Sequence, residues 1–435
     1  MDILFTNATI VTMDRDNKLM CNTDVGISGR KISHIAITGS EQPVAKRVID
    51  CTHKVIMPGL YNCHSHAAMA MFRGYANDRN LEDWLFNYIF PAESKWTPEL
   101  IRVGADLAIA DMISSGTVSF TDMYSLMNTT ATAAFEAGML ANISNGIITF
   151  DKDGYNFYQD HVYEQTSISV DTYHNKLDGR IKIDAAIHGA YTSHPKAWTQ
   201  VVNFAKEHDM RMHVHLSETK TEHETCIANF GTTPAQAFNK YDVFDLPTLA
   251  AHAVWVSDED IEILASKGVT VAHNPISNLK LASGIAPLQK MRDAGINVAL
   301  GTDGVASNNS HDLFEELKTA SILQKHVTNQ PTALTAYEAL EMATVNGALS
   351  QGREHESGMI KLGYDADMLL MDFDNPRQTV CYDPILNLAY ATSGRDVEMT
   401  ICRGNVLYEK GEYKTIDIEK VLYEARRAKA VFVPE

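Results

Sequence analysis

Five side chains able to hold a metal close four separate apolar runs in this chain. His64 and His66 end PGLYNCHSH, His215 lies in MHVHLSE, His252 in AAHAV and Asp303 in ALGTDG. Each string reads as a strand that stops at once in polar or turn-forming residues. If the five act together, the fold must aim four strand ends at one point. Closing a parallel sheet into a barrel does so, because its last strand returns beside its first. An open doubly wound sheet spreads the same strands along a row.

The rest of the pattern agrees with closure. Apolar strand candidates recur at 54–66, 117–124, 139–148, 180–189, 210–218, 249–256, 269–276 and 297–305. Helical stretches separate them, among them 98–115, 129–137, 196–209, 258–267 and 285–294. Alternation of this kind predicts an α/β chain, a (β/α)8 TIM-type barrel. Several of the strands are nearly continuous apolar runs, as parallel strands covered on both faces must be.

Outside that region the strands are short and leave no room for helices. They fall at 2–13, 24–27, 31–37 and 47–50, and again at 366–372, 397–402 and 405–409. Pairing the two ends gives a small β-sandwich domain of residues 1–55 plus 361–435, with the barrel at 56–360. Helical patterns at 313–325 and 333–347 follow the last barrel strand. A final one at 416–430 is expected as a surface helix packed on the β-domain.

Charge and cysteine content exclude several functions. Lys and Arg number 37 and Asp and Glu 55, a net −18 that argues against nucleic-acid or anionic-membrane partners. The six cysteines form no CxxC pair, so reduced thiols and a cytoplasmic location are expected. The first residues carry no basic and then apolar leader, and no uncharged apolar stretch approaches the roughly 18 residues of a membrane span. A homo-oligomer is expected.

The chemistry is concentrated at the strand ends. His64 and His66 are two apart, so one strand face presents both. In MHVHLSE, His213 and His215 again share a face, and only His215, nearer the strand end, should reach the barrel mouth. Three imidazoles and the Asp303 carboxylate make a natural set for one divalent ion, zinc first, with iron or manganese also suited. His252 is assigned to orienting the attacking water, since a catalytic site keeps one coordination position open. Glu218 follows His215 where the strand breaks, placed to shuttle protons. Strand four ends in KIDAAIHGAY with His188 and no lysine, which favours one metal over two.

These residues resemble the amidohydrolase superfamily, with its order HxH, His, His, Asp. The strings PGLYNCHSHAAMAMFRGYA, HVHLSE, HNPISNLKLASG and GTDGVASNN look most like its 5-methylthioadenosine/S-adenosylhomocysteine deaminase group, over essentially the whole chain. The resemblance implies metal ligands at His64, His66, His215 and Asp303, and substrate contacts at Glu93, His188 and Glu218, with Asp303 also facing substrate. Trp84 and Ser307 sit where that family lines its nucleoside pocket. The implied reaction replaces the 6-amino group of an adenine nucleoside by oxygen and releases ammonia. Deaminases or chlorohydrolases of guanine, cytosine or triazine rings share the same metal residues and remain alternatives, and a metal- or ligand-binding protein without activity is a third. One departure stands out. Relatives that take the homocysteine derivative tend to carry arginines after strand three, and ANISNGIITFDKDGYNFY has none, with Lys152 as its sole cation. Arg73 or Arg79, from another loop, is the substitute cation.

Overall fold

The computed structural model describes residues 1–79 and 81–432. Residues 433–435 of the expected second β-segment lie outside the described residues.

The apolar run at 54–66 is two strands. Lys54–Pro58 belongs to the sheet built from the chain ends, and Leu60–Ser65 is the first barrel strand. Gly59 separates them. A Cβ there would stand 2.3 Å from Cγ1 of Val118, so the crossing admits no side chain. The expected boundary between 55 and 56 therefore falls inside a strand. Hydrophobicity alone does not show the break, because both halves of the run are buried.

Lys54–Pro58 is the seam of the sheet. It runs parallel to Ile3–Val11, with Thr9 opposite Val55. It runs antiparallel to Met368–Asp372, with Met368 opposite Pro58 and Asp372 opposite Lys54. Leu19–Ser28 and Lys31–Ile37 extend one side; Val397–Cys402, Asn405–Glu409 and Glu412–Tyr413 extend the other. The nine strands of the expected β-domain share one hydrogen-bonded sheet. Ile3–Val11 is the cause: it pairs with Arg47–Asp50 along its first half and with Lys54–Pro58 along its second. Two register shifts against Leu19–Ser28 add local twist. The sheet thus curls around a core that includes Phe5, Ile10, Val25, Ile27, Met368 and Ile401.

The barrel strands follow the expected order. After Leu60–Ser65 come Thr117–Met123, then Leu140–Ser144 continued by Gly146–Ile147, then Ile181–Ile183 continued by Ala185–Ile187. Met212–Leu216, Thr248–His252, Thr270–His273 and Val298–Leu300 complete the set. Neighbouring strands pair in parallel. Closure is made at the site itself: the Asp303 amide donates to the His64 carbonyl at 2.9 Å. Beside it, Asn62 accepts from the Thr302 amide at 3.0 Å and donates to the Thr302 hydroxyl at 2.8 Å. A Cβ on Gly301 would meet Asn274 Oδ1 at 2.5 Å and the His64 amide nitrogen at 2.7 Å, so strand eight can approach strand one only with glycine at that position.

The helices between strands start where local chemistry directs. Thr97 caps Pro98–Ser114, its side chain accepting from the Leu100 amide, with proline in the first turn. Ile101, Ala105, Ala108, Ile109 and Met112 of this helix are buried, the spacing of a single core-facing stripe. The final helix, Ile418–Phe432, packs on Pro98–Ser114 of the barrel and not on the β-sheet, where it was expected. Its last described ring supplies the reason: Phe432 is 4% exposed and stands edge-on to Phe72 at 5.0 Å and to Trp96 at 4.7 Å.

Candidate metal centre and substrate cavity

All five residues singled out at the strand ends come together at the carboxyl face of the barrel. His64, His66 and His215 offer ligand atoms within 4.8 Å of one another, and His64, His252 and Asp303 form an overlapping group on the same criterion. Backbone carbonyls orient two of the rings. His66 Nδ1 donates to the Met123 carbonyl and His215 Nδ1 to the His188 carbonyl, each at 2.6 Å. In the neutral rings both Nε2 atoms are thereby the free ones, with lone pairs turned inward. His64 is held from behind by the buried His213, Nδ1 to Nε2 at 2.9 Å.

The inward atoms suit a cation. His66 Nε2 and His215 Nε2 lie 3.4 Å apart. His64 Nε2 is fully buried and has no hydrogen-bond partner. Asp303 Oδ1 stands 3.2 Å from His66 Nε2 and 3.5 Å from His64 Nε2. Orphaned acceptors facing one another at this spacing fit a divalent ion bound by three imidazoles and one carboxylate. The proton affinities carry the same message. Burial pushes His64 down to about 4, and burial together with His188 holds His215 well below the usual imidazole range. His66 alone rises, to about 9: burial opposes it, and the Asp303 hydrogen bond outweighs burial. Burial likewise opposes ionisation of Asp303, but the facing His64 and His66 rings hold its carboxyl well below the carboxylate range.

A second layer fixes these groups. Asp303 Oδ2 accepts from Ser277 at 2.6 Å and from Ser307 at 3.0 Å, and Oδ1 from the Gly304 amide at 2.8 Å. Ser307, expected in the nucleoside pocket, is thus turned toward the Asp303 carboxylate and is not among the residues lining the cavity. Its short hydroxyl is taken up four residues from Asp303, at the start of a turn. His252 Nδ1 lies 2.8 Å from Asn278 Oδ1, which leaves Nε2 to face the centre, 3.9 Å from Glu218 Oε2. Glu218 is itself held by its backbone, whose amide donates to Glu222 at 2.6 Å. Burial raises the carboxyl of Glu218 above its ordinary value and that of Glu222 to about 7. His252 at φ 74° and Ser217 at φ 46° occupy the left-handed region. Such residues cost roughly 1–3 kcal/mol each and cluster where function requires an unusual chain direction.

The cavity above the centre encloses about 740 Å3, part of it open to solvent. Glu218, His252, Asp303, His188, Glu93 and Trp84 all line it. His188 Nδ1 is tied to Thr192 at 3.0 Å. Two tyrosines are among the wall residues that escaped the reading of the sequence. Tyr124 follows strand two and donates its phenolic proton to Glu93, and Tyr191 packs its ring 5.8 Å from that of His188. Both aromatics follow barrel strands, where polar strand ends are the signal and aromatic ones blend with the core. Burial lifts Glu93 to about 7, against the pull of the Tyr124 hydrogen bond. Among the described lining residues there is no lysine or arginine. Arg73 is bound to Asp111 at 2.6 Å, and Arg79 to Asp83 at 3.0 Å, with its guanidinium over the Tyr88 ring. Strand four brings no lysine to the centre either: Lys182 donates at 2.6 Å to the Gly352 carbonyl, away from the mouth.

A (β/α)8 barrel with an appended sheet from both chain ends, and imidazoles and a carboxylate converging at its carboxyl face, defines a metal-dependent hydrolase. The model of the amidohydrolase family matches residues 55–407, and the chain belongs to that family. It is 43% identical over 429 residues to a 5'-deoxyadenosine deaminase of Methanosarcina acetivorans, covering 98% of this chain and 97% of the relative. It is 41% identical over 432 residues to a 5-methylthioadenosine/S-adenosylhomocysteine deaminase of Thermoanaerobacter pseudethanolicus, covering 99% of each. Among solved structures, a zinc-bound adenosine deaminase from Xanthomonas campestris superposes with a TM-score of 0.94 at 29% identity, over 99% of this chain and 98% of that one. A zinc complex of atrazine chlorohydrolase from Arthrobacter aurescens reaches 0.88 at 24% identity, over 98% of this chain and 100% of that one, and speaks to the fold alone. Among the described residues no helix is long and apolar enough to cross a membrane.

Proposed function

We propose that this chain is a zinc-dependent deaminase that converts the 6-amino group of an adenine nucleoside with an uncharged 5' end to the oxo group, releasing ammonia. The observation that carries the reading is a single cavity bearing, beside the metal donors, a buried non-ligand carboxylate, Glu218, and on another wall a carboxylate, Glu93, whose remaining acceptor sites suit vicinal ribose hydroxyls. The names of the full-length relatives support the same class of substrate.

His64, His66, His215 and Asp303 hold one divalent ion. When bound there, the ion makes water acidic enough to act as a nucleophile near neutral pH. Asp303 and His252 orient the attacking oxygen toward C6 of the purine. Glu218 enters protonated, as its burial favours. It donates that proton to N1, which makes C6 electrophilic, and oxygen adds to C6 to give a tetrahedral carbon. Glu218, now a carboxylate, takes one proton from the attacking water and passes it to the amino nitrogen; the C6–N bond breaks as ammonia leaves, and the proton still on that oxygen returns to Glu218 as C6 becomes the oxo carbon. His188 holds the substrate from strand four. Trp84 packs against the sugar or its 5' substituent, a contact suited to its apolar ring.

The lining without lysine or arginine favours 5'-deoxyadenosine and 5'-methylthioadenosine over S-adenosylhomocysteine, whose carboxylate would enter unpaired. Release of ammonia from a panel of these nucleosides, adenosine, guanine, cytosine and an aminotriazine, read as kcat/KM, tests the proposal. The expected ranking puts 5'-deoxyadenosine, 5'-methylthioadenosine and adenosine, all uncharged at the 5' end, ahead of S-adenosylhomocysteine. A guanine or triazine substrate at the top of the ranking would overturn it.

A further inference from the structure

Resting on the nucleoside reading of Glu93, we infer that the end of the C-terminal helix is part of the substrate site: Phe432 is a positioning residue that acts through Trp96 and Tyr124 to aim the Glu93 carboxylate.

The connection is continuous. Phe432 closes an aromatic cluster with Phe72 and Trp96, its ring 5.0 Å and 4.7 Å from theirs, while Phe72 and Trp96 lie 5.0 Å apart. The helix end is tied down a second time, by Lys95 Nζ donating to the Val431 carbonyl at 3.1 Å. Trp96 Nε1 donates to the Tyr124 hydroxyl at 3.0 Å, and that hydroxyl donates to Glu93 Oε1. The direction of these bonds is forced. An indole N–H can only donate, so the phenol oxygen must accept from it and its own proton is left for Glu93. One oxygen of Glu93 is thereby committed and the other is left for substrate. Trp96 is the residue that sets this polarity, and Phe432, with Phe72, is what packs against Trp96. The helix carrying Phe432 packs on the barrel helix Pro98–Ser114, so a segment some 340 residues from Glu93 in sequence buttresses the proposed ribose contact.

The experiment compares Phe432→Ala, Trp96→Phe, Glu93→Ala and the double variant Phe432→Ala/Glu93→Ala in the full-length zinc-loaded protein, with 5'-deoxyadenosine as probe. Loss of one well-aimed hydrogen bond corresponds to about a 2–10-fold change. Phe432→Ala is expected to raise KM by that factor while kcat and zinc content stay near wild type. Trp96→Phe, which keeps a ring and removes only the N–H donor, is expected to raise KM likewise, and it carries the test if Phe432→Ala does not fold. In the Glu93→Ala background, Phe432→Ala should add nothing further to KM. Equal increments with and without Glu93 would mean a merely structural role and overturn the inference, as would an unchanged KM in both single variants. If Glu93→Ala itself left KM unchanged, the nucleoside reading would fall and take the inference with it. A rise in KM for Glu93→Ala alone would overturn the role of Phe432 and spare the reading.

Discussion

Replacing Gly301 with alanine puts a defined steric load on the metal centre. The new Cβ would stand 2.5 Å from Asn274 Oδ1, 2.7 Å from the His64 amide nitrogen and 2.8 Å from His64 Cβ. The asparagine can turn away, but the His64 backbone cannot, because its carbonyl is bound to the Asp303 amide across the barrel closure. Strand eight must therefore withdraw from strand one, and Asp303 withdraws with it. Overpacking of this kind costs about 1–3 kcal/mol. Two of the three contacts involve a metal donor's own residue, so the upper end applies. Expressed wholly at the centre, ~3 kcal/mol is roughly a hundredfold weaker metal binding. The measurement is zinc content after dialysis against graded chelator, with thermal unfolding recorded with and without added zinc. The expected variant loses zinc at about a hundredth of the chelator strength that strips the parent, and excess metal restores most of its thermal stability. Gly295→Ala is the control: it meets no atom within 4 Å and strains only its own φ of 83°, so zinc retention should not change. Gly301→Ala with wild-type zinc retention and unfolding temperature would refute the closure argument.

Three further outcomes are expected. Glu218→Gln should keep its zinc, since the residue is no ligand in this scheme, and lose about 10²–10⁴-fold in turnover, as measured by ammonia release at saturating nucleoside. His213→Ala removes the partner of His64 Nδ1 and should weaken metal binding about 10–100-fold, read by competition with a chromogenic chelator. Because burial raises Glu93 to about 7, it is a neutral acid below that pH and a better hydrogen-bond acceptor above it. KM for 5'-deoxyadenosine should therefore fall as pH rises through about 7, and a KM–pH profile of Glu93→Gln should lose that step.

The convergence of side chains at the strand ends was the most legible part of the chain. His64, His66, His215, His252 and Asp303 each end an apolar run, and a polar group at such a place has few structural reasons to be there. The strand order followed from the same runs. What sequence could not carry was contact between distant segments. Gly59 lies inside an unbroken apolar string, and only the Val118 side chain pressing on it shows that the chain there leaves one sheet for another. The helix Ile418–Phe432 presents an amphipathic pattern that fits any apolar partner, and the sequence does not say that its partner is a barrel helix. Ser307 and Tyr124 failed in opposite senses for one reason: a hydroxyl's partner is set by three-dimensional approach. That of Ser307 reaches Asp303, and that of Tyr124 reaches Glu93.

The seam strand Lys54–Pro58 also sets a timetable for synthesis. Its antiparallel partner, Met368–Asp372, leaves the ribosome roughly 310 residues later. At about 5–20 residues per second that is a wait of roughly 15–60 s. Throughout it the N-terminal strands present an open edge, the kind of surface that pairs with other chains. Newborn copies on neighbouring ribosomes are therefore most exposed to mispairing at this edge, and the last strands to be made are the ones that end the risk.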